Sequence, residues 1–290
     1  MNIALNSDIS AVDFNGTDIA AVEFNGVEVW RKAPQGGVWA AKTWTGLTDF
    51  TGGNVWTDED NIYYSQGSTQ KVLNKSTSTW SNKTWTGYSN IFGSQIWTDE
   101  DNIYYSNGAN QQYVLNKSTS TWTTKTWTGY TSISGGSVWT DGTNIYYSFD
   151  TTQKVLNKST STWSDKTWTG LTDFRGSRIW TDGDNIYYSY GSAQYVLDKS
   201  TSTWTAKTWT GYTNISGEHT WTDGDNIYYS NNLAQKVLDK STSTWSDKTW
   251  TGLTKFRGSN VWTDGDNIYY SYYNSATTPA TSDQYVLVKP

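Results

Sequence analysis

From residue 37 onward the chain alternates short apolar and aromatic runs with polar turns, and the alternation keeps one order throughout. Asn54-Val55-Trp56-Thr57 precedes the polar stretch Asp58-Glu59-Asp60-Asn61, and Ile62-Tyr63-Tyr64-Ser65 follows it. A loop of changing sequence leads to Gln70-Lys71-Val72-Leu73, then the turn Asn74-Lys75-Ser76-Thr77, then Thr79-Trp80. β-Branched and aromatic runs of this length bounded by Asp, Asn, Gly and Ser predict strands joined by tight turns. We label these four strands A to D.

The unit recurs. Lys-Thr-Trp-Thr-Gly places its Trp at 44, 85, 127, 168, 209 and 250, a spacing of 41 residues and once 42. The Trp of Trp-Thr-Asp falls at 56, 97, 139, 180, 221 and 262. A third series, ending Ser-Thr-Ser-Thr-Trp, has Trp80, Trp122, Trp163, Trp204 and Trp245. Its sixth member stands at the front: Trp39 precedes Trp44 by the same five residues that separate Trp80 from Trp85. Four strands per repeat of about 40 residues is the arithmetic of a β-propeller blade. An open solenoid needs a capping repeat at each end; here the two ends complete one repeat between them. The sequence therefore predicts an all-β fold, a six-bladed β-propeller of four-stranded antiparallel blades, closed by an N-terminal strand near residues 37–41 in the last blade. Face-to-face blade packing buries both sides of a strand, which accounts for Ile-Tyr-Tyr and Val-Trp runs in place of strict alternation. The invariant aromatics are expected in the core.

The order Trp80, Trp85, Gly93, Ile96-Trp97, Asn102-Ile103-Tyr104-Tyr105, Tyr113-Val114-Leu115-Asn116-Lys117, Trp122 resembles a kelch repeat, over residues 37–290. It departs from the kelch pattern where a double glycine follows the Ile-Tyr strand, since Ser-Asn-Gly or Ser-Tyr-Gly stands there. A finer pattern runs through strand C: the residue after Gln alternates as Lys71, Tyr113, Lys154, Tyr195, Lys236, Tyr285. Such alternation points to an ancestral blade pair, triplicated.

Ahead of the repeats, Asp8–Gly16 and Asp18–Gly26 form a shorter repeat ending Phe-Asn-Gly, followed by Val27-Glu28-Val29-Trp30. Alternation plus Asn-Gly is a hairpin signal, so a three-stranded meander is expected over residues 1–32, with 33–36 as linker. The pattern Ile-x-x-Val-x-Phe-Asn-Gly resembles N-terminal modules of bacteriophage virion proteins of tail or fibre type. That resemblance implies attachment to other virion proteins through residues 1–32 and a location in the phage particle.

Composition narrows the functional classes. Nineteen Trp and 21 Tyr support the β assignment, and the lack of Cys removes disulfides and Cys-ligated metals. A net charge of −6 argues against a nucleic-acid partner. No apolar run reaches the length of a membrane span, so no membrane insertion is expected. The first residues lack a signal-peptide pattern, and export would use another route such as lysis.

In an antiparallel meander the A–B and C–D turns share one face and the B–C and D–A loops share the other. The former hardly change between repeats; the latter change freely, from Gln66-Gly67-Ser68-Thr69 to the long stretch 272–281. Neutral drift in tolerant loops accounts for part of this, yet drift has barely touched the other face. The variable face supplies the candidate ligand-binding residues Tyr88, Tyr130, Phe149, Arg175, Arg178, Tyr190, Tyr212, Glu218, His219, Arg257, Tyr272 and Tyr273. Aromatic and planar polar groups suit sugar rings, and repeated weak sites gain through multivalency.

Other chemistry is poorly supported. The Asp-x-Asp-Asn turns have oxygen ligands at calcium spacing, but Thr143 breaks the series and no bidentate Glu follows; Asx turns explain them without metal. A single His excludes most His-based catalysis. The carboxylates Asp49, Asp173, Glu218 and Asp283 sit on separate repeats, unlike a glycosidase pair. Thr79-Trp80 matches the end of a sialidase box whose Asp and Gly are missing. No enzyme activity, cofactor or metal is expected. The leading expectation is a phage virion, tail-associated protein binding a host-surface glycan or protein. The alternatives are a soluble propeller lectin or protein-interaction scaffold, and, third, a glycoside-active enzyme.

Overall fold

A computed structural model describes residues 12–14, 17–19, 21–24, 27–31, 37–47, 50, 52–107, 111–171, 173–253, 256–274 and 281–288. The side chains of residues 12–31, 273, 274, 281 and 282 lie outside the description.

Residues 37–288 build six four-stranded antiparallel sheets arranged as blades of a β-propeller. In blade 1, strand A is Val55–Thr57, B Ile62–Gln66, C Thr69–Asn74 and D Thr79–Asn82. Blade 6 takes A, B and C from Val261–Thr263, Ile268–Asn274 and Thr281–Val288, and its D from Val38–Ala41. Trp39 pairs with Leu287 there as Trp80 pairs with Leu73 in blade 1, so the expected closure by an N-terminal strand is present.

The closing blade is joined to its neighbour like the rest. After each strand D, the Lys-Thr-Trp-Thr-Gly segment runs parallel to the outer strand of the next blade and covers its edge, a site otherwise open to pairing with other chains. The Trp80 amide donates to the Thr45 carbonyl at 2.8 Å, and across the closure the Trp39 amide donates to Thr251 at 2.9 Å. Gly252 has φ +84°, and a Cβ on it would lie 1.9 Å from the Trp39 carbonyl oxygen, so only glycine passes this crossing.

The core is divided among the six blade interfaces. Between blades 2 and 3, Trp97, Tyr104, Trp127, Ile133, Ile145, Tyr147, Leu156 and Trp163 pack together. Trp97 and Trp127 stack with centroids 5.6 Å apart, and Trp163 meets Trp127 edge-on at 5.8 Å; offset and edge-on contacts suit the ring quadrupoles. The strand-A indoles also satisfy their N–H groups: Trp56 Nε1 donates to Ser65 Oγ at 2.7 Å, and each other blade repeats the bond.

The face carrying the A–B and C–D turns is held by a repeated device. Asp58 Oδ1 accepts from the Asn61 amide at 2.9 Å and Oδ2 accepts from the Tyr63 hydroxyl at 2.8 Å. Burial and this carboxylate together push the Tyr63 hydroxyl well above its usual pKa. The first carboxylate of each Asp-x-Asp-Asn turn is thus engaged in an Asx turn and a tyrosine bond. Lys75 Nζ donates to the Asp264 carbonyl at 2.6 Å, tying blade 1 to blade 6.

Two features differ from the sequence reading. Asn54 is not in strand A: it closes a 3-10 turn, Gly52–Asn54, and each blade has the equivalent. A Cβ on Gly217 would lie 2.2 Å from the Arg178 carbonyl, and one on Gly258 2.2 Å from that of His219. These close approaches pack the turns into a ring about the axis, a contact between blades that local strand periodicity does not encode. Among the described residues of the N-terminus there are four short strands in two separate hairpins, in place of one three-stranded meander. Val12–Phe14 pairs with Thr17–Ile19, and Ala21–Phe24 with Val27–Arg31; the Asn-Gly pairs expected to make the turns lie outside the described residues.

Candidate functional site

The variable face is built from two concentric positions. The inner one is the last residue of each 3-10 turn: Asn54, Gln95, Ser137, Arg178, His219 and Asn260. The outer one follows the Ile-Tyr-Tyr-Ser of strand B: Gln66, Asn107, Phe149, Tyr190, Asn231 and Tyr272. Framework residues around both are nearly identical between blades, so these positions are held alike while their chemistry changes.

Exposed apolar side chains concentrate here, the exceptions among the described residues being Val38 and Val288, which pair with each other at the closure. Phe92 (38% exposed), Phe149 (47%), Tyr190 (57%), Leu233 (97%) and Tyr272 (39%) all lie on loops or strand ends of this face, one on each of blades 2 to 6. Single exposed apolar residues are unremarked on protein surfaces, whereas a set on one face marks interaction. Sequence reasoning missed Leu233 and Phe92. It favoured Tyr and Arg, although Leu233 in the polar loop Asn231-Asn232-Leu233-Ala234 has no core role to fill. Tyr273 continues strand B of blade 6, and its side chain lies outside the described residues.

The candidates that converge are Phe149, Arg175, Arg178, Tyr190, Glu218, His219 and Arg257. Asp150, Asp173, Arg175, Arg178, Tyr188 and Tyr190 line a cavity of about 160 Å³ between blades 3 and 4. The Arg178 guanidinium lies 4.3 Å over the Tyr190 ring. Its Nη2 pairs with Glu218 Oε1 at 3.2 Å, and its Nη1 donates to Ser216 Oγ at 3.3 Å. Arg175 Nε donates to Asp150 Oδ1 at 3.3 Å, and its guanidinium sits 5.9 Å from the Phe149 ring. The rim therefore offers a desolvated cation on an aromatic plate, beside carboxylate oxygens able to accept hydrogen bonds from hydroxyls. Glu218 and Asp173, on separate repeats in sequence, flank the same arginine pair. His219 continues the arc on blade 5; burial holds its imidazole below the usual pKa, Glu218 opposes this, and Arg257 and Arg178 reinforce it.

Three candidates are used differently. Tyr88 stacks on Tyr113 at 4.2 Å, and Tyr130 and Tyr212 pack 5.4 Å from Tyr147 and Tyr229. Lys154 and Lys236 lie about 5 Å over the latter two rings, at 5.1 and 5.0 Å. These half-buried tyrosines fasten the D–A loops to strands B and C and offer a ligand little of their faces. Tyr272 stacks along Tyr270 at 6.5 Å, apart from the arginine arc.

No family model matches the chain, and no curated protein matches it. Among solved structures, YjhT superposes with a TM-score of 0.59 at 11% identity, over 83% of this chain and 95% of that one. The extracellular domain of BT4673 from B. thetaiotaomicron, a protein described as a hybrid two component system, gives a TM-score of 0.51 at 9% identity. That match covers 81% of this chain, which spans 33% of the other. Both likenesses establish the propeller fold. Among the described residues, no helix is long and apolar enough to cross a membrane.

Proposed function

We propose that this chain is a recognition protein whose variable propeller face binds a host-surface glycan or protein, and that it belongs to a phage virion as a tail-associated component. The observation that carries the binding role is the one-sided chemistry. Each of blades 2 to 6 presents an apolar tip on the same face, and all three arginines of residues 37–290 lie there too. Core packing needs none of these side chains, so their placement is left to a partner. The virion assignment rests on the resemblance of residues 8–30 to tail and fibre modules, with the two hairpins as the attaching part. Binding, not turnover, is the role proposed, because Asp150 is engaged by Arg175 and Glu218 by Arg178.

The test is binding of the full chain to glycan arrays and to bacterial envelopes, with a Tyr190→Ala, Leu233→Ala double variant as comparison. A wild-type signal that falls about tenfold or more in the variant supports the reading, a loss of the size expected for two interface anchors. No envelope or glycan binding at any concentration overturns it. Gene neighbourhood tests the virion part: no tail or capsid genes nearby would refute that assignment.

A further inference from the structure

Among the described arginines of the variable face, Arg257 is the one without an ion pair. Arg175 and Arg178 have carboxylate partners within 3.3 Å, whereas Arg257, exposed at the entrance to the last 3-10 turn, has no ion pair among the described residues. Its neighbour in space is instead the amide of Asn232. With that amide turned so that its oxygen faces the arginine, Oδ1 accepts from Nη2 at 3.1 Å and from Nε at 3.3 Å. One edge of the guanidinium is thereby fixed, and the Nη1–Nη2 edge is left for a planar acceptor. A carboxylate fits such an edge with two parallel bonds.

His219 stands beside it. The ring of 3-10 turns seats Gly258 directly on the His219 carbonyl, and the imidazole has a buried Nδ1 with no hydrogen-bond partner among the described residues. The groups facing it are Glu218 on its own turn, Arg178 from blade 4, Arg257 from blade 6 and the Tyr229 ring, edge-on at 6.2 Å. Two cations against one carboxylate leave a positive excess at this point, on a chain whose net charge is −6.

We propose that the variable face at Arg257, Asn232 and His219 binds the carboxylate of an acidic sugar residue, the uronic-acid class being the simplest case. The inference rests on the recognition role proposed above and narrows its ligand. An anion placed there adds the negative charge that the imidazole lacks, so binding and protonation of His219 favour each other.

Because the chain has one histidine, its imidazole gives a single unambiguous NMR signal. The full chain is titrated with pH in the presence of millimolar sodium glucuronate, of glucose, and of sodium chloride at equal ionic strength. Glucuronate is expected to raise the His219 midpoint by about half a unit or more, to leave it in place in Arg257→Gln, and to raise it normally in Lys199→Gln on the opposite face. Glucose and chloride should leave it unmoved. A midpoint equally unaffected by glucuronate, or a shift that survives Arg257→Gln, overturns the inference. Retained envelope binding in a chain without the glucuronate shift would sink this site alone and leave the recognition face standing.

Discussion

Lys154 on strand C of blade 3 donates to Asp165 Oδ1 at 2.6 Å, directly across from it on strand D. The pair explains the strand-C alternation. Where C carries Lys, its partner on D is polar or acidic: Lys71 faces Asn82, and Lys236 faces Asp247. Where C carries Tyr, the partner is small: Tyr113 faces Thr124, Tyr195 faces Ala206, and Tyr285 faces Ala41. Cross-strand neighbours are the unit in which sheet side chains interact, so the two positions changed together. The Lys154→Tyr, Asp165→Ala double variant, which copies blade 4 into blade 3, is expected to melt within a few degrees of wild type. Lys154→Tyr alone, facing Asp165, should cost about 1 kcal/mol. Thermal denaturation of the four members of the cycle measures the coupling. Strict additivity would show that the two positions do not interact.

The closing strand makes the same bonds as the other five outer strands, so its loss should cost as much as theirs. Trp39 and Trp163 are both almost fully buried, and truncation to Ala at either is expected to lower stability by about 3–5 kcal/mol. Deleting residues 36–41 removes the whole of strand D from blade 6 and exposes the edge of strand C. Calorimetry should then show loss of a single cooperative transition. An unchanged melting profile would mean that the ring does not depend on this joint.

How much of this was legible in the sequence follows from which features are periodic. The Trp spacing located the blades, and the displaced Trp39 located the closure, because a sixfold repeat leaves a visible gap when one member moves. Strand boundaries came within a residue or two; Asn54 fell in a 3-10 turn and not in strand A because the ring of these turns depends on contacts between blades. The arginine arc was half legible. Arg175, Arg178 and Arg257 stood out against lysine-bearing repeats, but that Asp150 and Glu218 would partner the first two depends on loop conformation. Tyr88, Tyr130 and Tyr212 looked like surface aromatics because the groups that pack on them lie 17 to 25 residues further on, Tyr147 and Tyr229 on strand B and Tyr113, Lys154 and Lys236 on strand C.

Glu59 and Glu100 occupy the A–B turn at φ 84° and 81°, where blades 3 to 6 have glycine at φ between 90° and 99°. A side chain in this region meets its own backbone at a cost of about 1–2 kcal/mol, partly returned by the greater unfolded-state freedom of glycine. Glu59→Gly and Glu100→Gly should each stabilise the fold by about 0.5–1 kcal/mol. The Lys117–Glu59 contact at 3.6 Å is exposed on the glutamate side and subtracts little from this. Urea midpoints that fall in both variants would refute the strain argument.

Stability against pH should be a plateau bounded on both sides by the A–B turns. Burial pushes the Asp141 and Asp182 carboxyls up, but the amides of Asn144 and Asn185 and the hydroxyls of Tyr146 and Tyr187 more than reverse it. Both settle below the ordinary value of 3.8. A carboxylate with a depressed folded pKa contributes stability that is present above its unfolded value and lost as pH falls through the folded one. On the alkaline side the sign reverses. Tyr63, Tyr104, Tyr146, Tyr187, Tyr228 and Tyr269 are raised above 10.0, first by burial and then by the Asp each donates to. Their contribution is complete below 10.0 and drains as pH rises past it, since the unfolded chain releases those protons first. Melting temperatures measured from strong acid to strong alkali should therefore hold steady near neutrality, fall below about pH 4 and fall again above about pH 10. Tyr146→Phe removes one contributor from each flank, because the same hydroxyl holds the Asp141 charge and resists its own ionisation. A Tyr146→Phe profile as steep as wild type on both flanks would show that the turn does not set the limits of stability.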